Sequence, residues 1–222
     1  ALMVTGNNLK QCVFAAVALL LSAAAIHAQN TQATWVFGDG YVLQWKKDGQ
    51  ISRDPVFTQR PPLRSVEGAA SISDSCSGEL QYQSDGLQIW YGDGTLVPGS
   101  QGLCSGTSSR QNVVFVPWKG HPGGTFLFAA ISMTGPGVDP IAPGTDCIRT
   151  YTYSLIERLP NGAHGITQKN VPLAPDRAPY GSEMIAATAT KNRDGYWVLT
   201  YDSNVGDILA YRVDGAGVNP VP

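Results

Sequence analysis

The chain has 222 residues, 43% of them hydrophobic and 14% charged, with a formal net charge of −2. That apolar content excludes a disordered chain, and the lack of any basic run excludes nucleic acid as an expected partner, because phosphate binding needs clustered Lys and Arg. The 25 Gly and 15 Pro are scattered, which predicts many turns rather than low-complexity sequence.

Residues 1–28 read as a secretory signal peptide. A lone Lys10 precedes the apolar run Val13–Leu21, and small residues follow up to Ala28. Cleavage is expected between Ala28 and Gln29. The run is too short for a membrane anchor, so no membrane span is expected in the mature chain. Secretion, or display on the outer cell surface, is the location this implies. Export leaves Cys76, Cys104 and Cys147, an odd number. One optional disulfide and one buried thiol are expected, with Cys76 and Cys104 the candidate pair because both sit in turn-like Cys-Ser-Gly contexts. No C-x-x-C spacing occurs and the mature chain keeps only His121 and His164, too sparse a ligand set for zinc.

Residues 29–222 are predicted to be all-β. Short runs of aromatic and branched residues alternate with Gly, Asp, Asn, Ser and Pro. Two short strands are expected around Trp35–Phe37 and Tyr41–Trp45, followed by a Pro-rich connection. A first unit spans 68–100, with strands in "GAASISD", "ELQYQSD" and "LQIWY". A second spans 112–173, with strands in "NVVFVPW", "TFLFAAIS", "IRTYTYSLIE" and "QKNVPL". A third spans 183–217, with strands in "EMIAATAT", "GYWVLTY" and "DILAYRV". Each is a meander of three or four antiparallel strands. Repetition on this scale predicts a β-propeller-like array of about three blades plus an N-terminal partial blade. "TFLFAAIS" and "MIAATA" are apolar at nearly consecutive positions, as expected of strands buried on both faces. "IRTYTYSL" alternates, which predicts an outer strand. The pairs Ala69-Ala70, Ala129-Ala130 and Ala186-Ala187 are expected where blades pack closely.

Five stretches carry a family resemblance. "TWVFGDG", "EGAASISDSCSGELQYQSDGLQIWYGDGTLVPG", "SGTSSRQNVVFVPWKG", "ITQKNVPL" and "SEMIAATATKNRDGYWVLTY" occur in this order. Together they resemble the N-terminal β-propeller region of large secreted surface proteins of Bacteroidota, the gliding-motility-associated, type IX secretion-sorted type with PKD domains. The resemblance spans roughly Trp35 to Val218. It implies a surface-displayed module for binding or adhesion without an assigned catalytic activity. It also implies an incomplete ring, because the sequence reaches Pro222 after about three blades and shows no C-terminal sorting domain. Exposed sheet edges would then be open to pairing with missing blades or another chain.

The carboxylates fall mostly at turns. Asp-Gly occurs at Asp39, Asp48, Asp85, Asp93, Asp194 and Asp214, and a hairpin turn needs the positive φ that Gly supplies. Asp85 and Asp93 flank one strand, roughly 20 Å or more apart at about 3.3 Å per residue. A glycosidase pair needs about 5 to 9.5 Å. No EF-hand loop, G-x-S-x-G elbow or G-x-G-x-x-G loop is present, so no catalytic residue, metal or cofactor is expected. Asp74, Asp202 and Glu183 lie near strand ends, where they could converge at an axial mouth. His121 and His164 read as loop residues. Trp118, beside Pro117 in a turn-like segment, is the one ligand-binding candidate, placed to stack on a surface glycan or a protein. Two alternatives stand beside a binding module: a propeller-type glycoside hydrolase or lyase of the cell envelope, and a structural spacer. An enzyme should bring two carboxylates, or a His and a carboxylate, within catalytic distance of each other in one cleft.

Overall fold

A computed structural model describes residues 33–36, 42–45, 51–52, 68–105, 111–130, 151–174, 182 and 184–220. Among them the chain is all-β, without a helix, and no helix is long and apolar enough to cross a membrane. The first sheet holds β1 (Thr34–Val36), β2 (Val42–Trp45) and β3 (Ile51–Ser52). The second holds β4 (Ala70–Ser73), β5 (Leu80–Ser84) and β6 (Ile89–Tyr91). The third holds β7 (Val113–Pro117), β8 (Thr125–Ala129), β9 (Thr152–Arg158) and β10 (His164–Pro172). The fourth holds β11 (Ile185–Ala189), β12 (Tyr196–Asp202), β13 (Asp207–Asp214) and β14 (Gly217–Pro220). Every sheet is an antiparallel meander in which consecutive strands are neighbours, and none closes on itself. The short β3 and β14 add strands that the composition of their segments did not reveal. The signal segment and its cleavage point, Ala28 and Gln29, lie outside the described residues, as do Asp39, Asp48, Glu183 and Cys147.

The sheets stack in chain order. The first strand of each touches the first strand of the next: β1 on β4, β4 on β7, and β7 on β11. Three apolar seams result. Val36 and Val42 meet Trp90, Ala69 and Leu80 between the first and second sheets. Ile72, Tyr82, Ile89 and Val97 meet Val113, Phe115, Leu127 and Ile156 between the second and third. Val116, Phe126, Phe128 and Leu155 meet Ile185, Val198, Tyr211 and Val213 between the third and fourth. Serines stitch the first seam: Thr34 N donates to Ser73 Oγ at 3.2 Å, and Ser71 Oγ donates to the Thr34 carbonyl at 2.9 Å.

β8 is buried along its whole length, because side chains two apart share a face and both faces are covered. Phe126 and Phe128 enter the seam with the fourth sheet, while Leu127 and Ala129 enter the seam with the second. Two expectations are corrected here. β11 is not buried on both faces: Ile185 is buried, but Ala186 and Thr188 are exposed. The fourth sheet has a neighbour on only one side among the described residues, so Ala186 faces outward, whereas Ala129 and Ala130 lie in packed interiors. The alternating stretch around Tyr153 is not an outer strand either. It forms β9, between β8 and β10, and its polar alternates Thr152 and Ser154 are buried too. Ser154 Oγ accepts Asn170 N at 3.0 Å, which satisfies the backbone at a bulge in β10.

Most exposed large apolar side chains fall on the two end sheets. Trp35 of β1 is 42% exposed, and Met184, Leu199, Val205 and Ile208 project from the fourth sheet or its turns, with Ile208 at 72%.

Tyr151, fully buried just before β9, ties the third sheet to the fourth through its hydroxyl. It accepts from Ser182 N at 3.1 Å and Tyr201 N at 3.2 Å, and its proton can go to the Met184 carbonyl at 3.0 Å or Ser182 Oγ at 2.8 Å. Tyr151→Phe keeps the ring but strands two backbone N–H groups. It should lower unfolding stability by about 1–3 kcal/mol in urea titrations, with the β-sheet circular dichroism spectrum retained. A change below a few tenths would mean that the hydroxyl does not couple the sheets.

Candidate functional site

The paired carboxylates resolve as turn devices. Asp85 is buried at 3% exposure, and its Oδ1 accepts Leu87 N at 2.8 Å and Gln88 N at 3.1 Å. Asp93 Oδ1 accepts Thr95 N at 2.8 Å and Thr95 Oγ1 at 2.7 Å. Each carboxylate closes its own Asx turn, one before β6 and one after it, and Gly86 and Gly94 take φ of +92° and +89°. The single positive-φ mechanism does not cover every Asp-Gly pair. At Asp194 the positive φ falls on Arg193, and beyond Asp214 it falls on Gly217. Asp194 and Asp214 instead flank Arg212, at 2.9 and 3.2 Å. Hydrogen bonding from Thr190 and the nearby Arg212 hold the Asp194 carboxyl below the usual range. Asp202 caps another turn, accepting Asn204 N at 2.9 Å.

Burial pushes the Asp85 carboxyl above the ordinary Asp range, against the opposing pull of Leu87 N and Gln88 N. The folded state therefore holds the proton more tightly than the unfolded chain, so this group's contribution is fully present below the unfolded pKa of about 4. It is lost as pH rises through the folded value. Asp85→Asn keeps an acceptor for both N–H groups without the buried charge. Its stability relative to wild type should rise between pH 3 and pH 7, while Asp85→Ala should lose about 1–3 kcal/mol throughout. Parallel pH-dependent denaturation curves for wild type and the Asn variant would contradict this assignment.

The candidate disulfide is corrected as well. Cys104 is disulfide-bonded, but Cys76 carries a thiol at an exposed turn, so these two do not pair. Cys104 is buried and its segment is clamped by one side chain. Asn170, at φ +53° in the β10 bulge, accepts Cys104 N on Oδ1 and donates Nδ2 to the Gly102 carbonyl, both at 3.0 Å. A maleimide reagent should label Cys76 in the native oxidised protein and leave Cys104 unmodified until reduction, as read by peptide mass spectrometry. Recovery of a Cys76–Cys104 linked peptide would reverse the correction.

A cleft of about 530 Å³ opens at one end of the seam between the second and third sheets, within the usual range for small-ligand sites. Ile72, Ser73, Asp74, Ser75 and Gln81 form its wall on the second sheet. The β7–β8 turn (Pro117, Trp118, His121 to Gly124) and the β9–β10 hairpin (Arg158, Gly162, His164) form the other. Four residues singled out in the sequence, Asp74, Trp118, His121 and His164, therefore share one cleft. Asp202 does not line it.

Their roles differ. Trp118 is half-buried, and its indole face is covered by the His121 ring, stacked at 3.5 Å between centroids, with Phe126 at 5.3 Å. A sugar stacking on that face of Trp118 would first have to displace the imidazole. The Trp118 Nε1 is buried without an acceptor among the described residues, so packing rather than hydrogen bonding fixes the indole. His121 Nε2 lies 3.2 Å from the Gly215 carbonyl and links the turn to the fourth sheet. Asp74 Oδ1 accepts Cys76 N and Ser77 N, each at 2.8 Å, which commits that oxygen to its own turn.

His164 is anchored from both sides of its residue. Its Nδ1 is 2.8 Å from the hydroxyl of the fully buried Tyr82, and its carbonyl accepts the Tyr91 hydroxyl. Burial pushes the Tyr82 phenol well above the ordinary Tyr range, so it stays protonated and can donate to Nδ1. Gly123, at φ +80°, lies against the other ring nitrogen; a Cβ there would sit 2.8 Å from Nε2. Arg158 pairs directly with His164 across the β9–β10 ladder, so both side chains lie on one face. Tyr82, Gln81 and Arg158 escaped the sequence reading because strand residues give no local mark of a site. The strand runs read from the sequence end at Glu157 and resume at Gln168, so they left both Arg158 and His164 out of the ladder that pairs them.

Among the described residues, no group of three or more His, Cys, Asp or Glu side chains is placed to hold a metal ion. No family model, no curated protein and no solved structure matches this chain.

Proposed function

We propose that this chain is an exported, non-catalytic binding module whose sheets are blades of a β-propeller, and that a polar ligand such as a surface glycan or a protein segment binds between the second and third sheets. The observation that carries the reading is the cleft itself. It is a preformed recess lined by Ser, Gln, Thr, His and Arg side chains, with Asp74 as the single lining carboxylate among the described residues. Hydrolysis of a glycoside calls for two carboxylates in one site, and in the His-and-carboxylate set that the cleft does hold, Asp74 Oδ1 is engaged by its turn, His121 Nε2 meets the Gly215 carbonyl and His164 Nδ1 meets Tyr82. A lyase built on the Tyr82–His164 pair meets another obstacle, since the Tyr82 side chain is fully buried and its hydroxyl faces Nδ1 rather than the cleft opening.

Three features support the blade reading. Consecutive sheets touch through their first strands, each is an antiparallel meander, and among the described residues exposed apolar side chains sit at both ends of the series. Export to the cell surface is supported by the pattern of residues 1–28 and by the resemblance to secreted surface proteins of Bacteroidota.

Calorimetric titration against a panel of cell-surface oligosaccharides is the direct test. A ligand should bind and be recovered chemically unchanged after prolonged incubation, and Gln81→Ala should weaken it several-fold. Appearance of cleaved or unsaturated products would establish the enzymatic alternative instead.

A further inference from the structure

We propose that the cleft selects an acidic saccharide, its carboxylate held by the Arg158 guanidinium together with His164 Nε2. This inference rests on the reading of the cleft as a ligand site and adds the chemistry of what enters it.

The cross-strand pairing is the first ground. Arg158 and His164 are directly opposed in the β9–β10 ladder, which sets their Cβ atoms roughly 4.5–5.5 Å apart on one face. Both line the cleft. Two basic side chains placed opposite each other repel when both are charged, and sequences ordinarily relieve this with an acid between them. No described carboxylate pairs with Arg158: the ion pairs present join Arg212 to Asp194 and Asp214. The nearest acid on the same strand, Glu157, points its carboxylate to Thr167 Oγ1 at 2.5 Å. In a chain with formal net charge −2, this leaves a local basic site at the mouth of a recess.

The second ground is how the two groups are held. Arg158 Nε reaches the Gly162 carbonyl of its own hairpin at 3.4 Å. That contact restrains the side chain and leaves the terminal N–H fork for a planar anion. A guanidinium fork matches a carboxylate in two parallel hydrogen bonds. With the Tyr82 hydroxyl donating to Nδ1, the neutral imidazole carries its proton on Nε2, making that atom a third donor. Gly123 lies against Nε2, where a Cβ would fall 2.8 Å from it, so only glycine lets the turn pack this close to the ring. Across the cleft, Asp74 presents its Oδ1 to two backbone N–H groups, which reduces its repulsion of an incoming anion.

The third ground favours a saccharide over a bare anion. Beyond the basic pair, the walls offer Ser75, Gln81 and Thr125, groups suited to hydroxyls, and the recess is larger than a single carboxylate requires.

The test uses the full exported chain. Oligomers of galacturonate, of guluronate and of a glucuronate-containing glycan are titrated beside their carboxyl-reduced forms, which keep the skeleton and lose the charge. At least one acidic oligomer should bind at least tenfold more tightly than its reduced form and weaken between 0.05 and 0.5 M salt. Arg158→Ala should lose that difference, and Arg158→Lys, which keeps the charge without the fork, should fall between. Arg158 is exposed, so unchanged thermal unfolding of the variants separates lost binding from lost folding. Equal binding of acidic and reduced forms, untouched by Arg158→Ala, would overturn the carboxylate assignment and leave the binding module standing. Binding of a poly-aspartate peptide as tight as that of the best saccharide would overturn the saccharide assignment. If none of the acidic oligomers binds, the inference falls; if neutral glycans and peptides also fail, the binding reading falls with it.

Discussion

The third sheet must be buried on both faces at once, and the rest of the molecule follows from that requirement. Each sheet here has three or four short strands, and a sheet of that size needs its apolar face covered to be stable. β8 solves the problem for its neighbours, sending Phe126 and Phe128 to one side and Leu127 and Ala129 to the other. A fully buried side chain of this size contributes about 1.5–3 kcal/mol relative to exposure, so one five-residue strand supports two seams. The hydroxyl of Tyr151 and the serines of β4 then fix how the sheets meet, since each backbone group they satisfy is lost if a sheet shifts.

The cleft is what remains where those seams end. The apolar contact between the second and third sheets gives way to three turns, and the turns hold their side chains by short-range chemistry. Asp74 closes one, the Trp118–His121 stack fixes another, and the Gly162 hairpin sets the third. His164 then joins the two layers, because its ring reaches Tyr82 and its carbonyl receives Tyr91. Groups carried on strand ends and tied to a second layer keep their positions better than groups on free loops. The geometry of the cleft is thus set by the same packing that holds the sheets together.

Much of this was legible because β-structure writes itself with a period of two. Consecutive apolar residues in "TFLFA" announced a strand covered on both sides, and the Asp-Gly corners around β6 announced their turns. "IAATA" was misread because Ala and Thr suit an outward face as well as an inward one; whether a second neighbour covers them is decided far away in sequence. Cys76 and Cys104 sit in the same Cys-Ser-Gly context, yet one is exposed and the other buried, a difference made by tertiary position. The histidines, Asp74 and Trp118 could each be picked out singly. Their convergence could not, because it depends on which ends of two adjacent meanders face each other. Tyr82 and Arg158 looked like ordinary strand residues for the same reason.

The bare end faces have a thermodynamic corollary. In a stack where each layer touches only the layers beside it, stability is close to a sum of nearest-neighbour terms. Among the described residues, the first and fourth sheets, with Trp35 and Ile208 turned to solvent, each have one such term, while the second and third have two. Opening then begins at the two ends and reaches the middle last. The recess lined by Arg158, His164 and Gln81 lies between the two inner layers, so it persists through partial unfolding that would already have stripped away either terminal sheet.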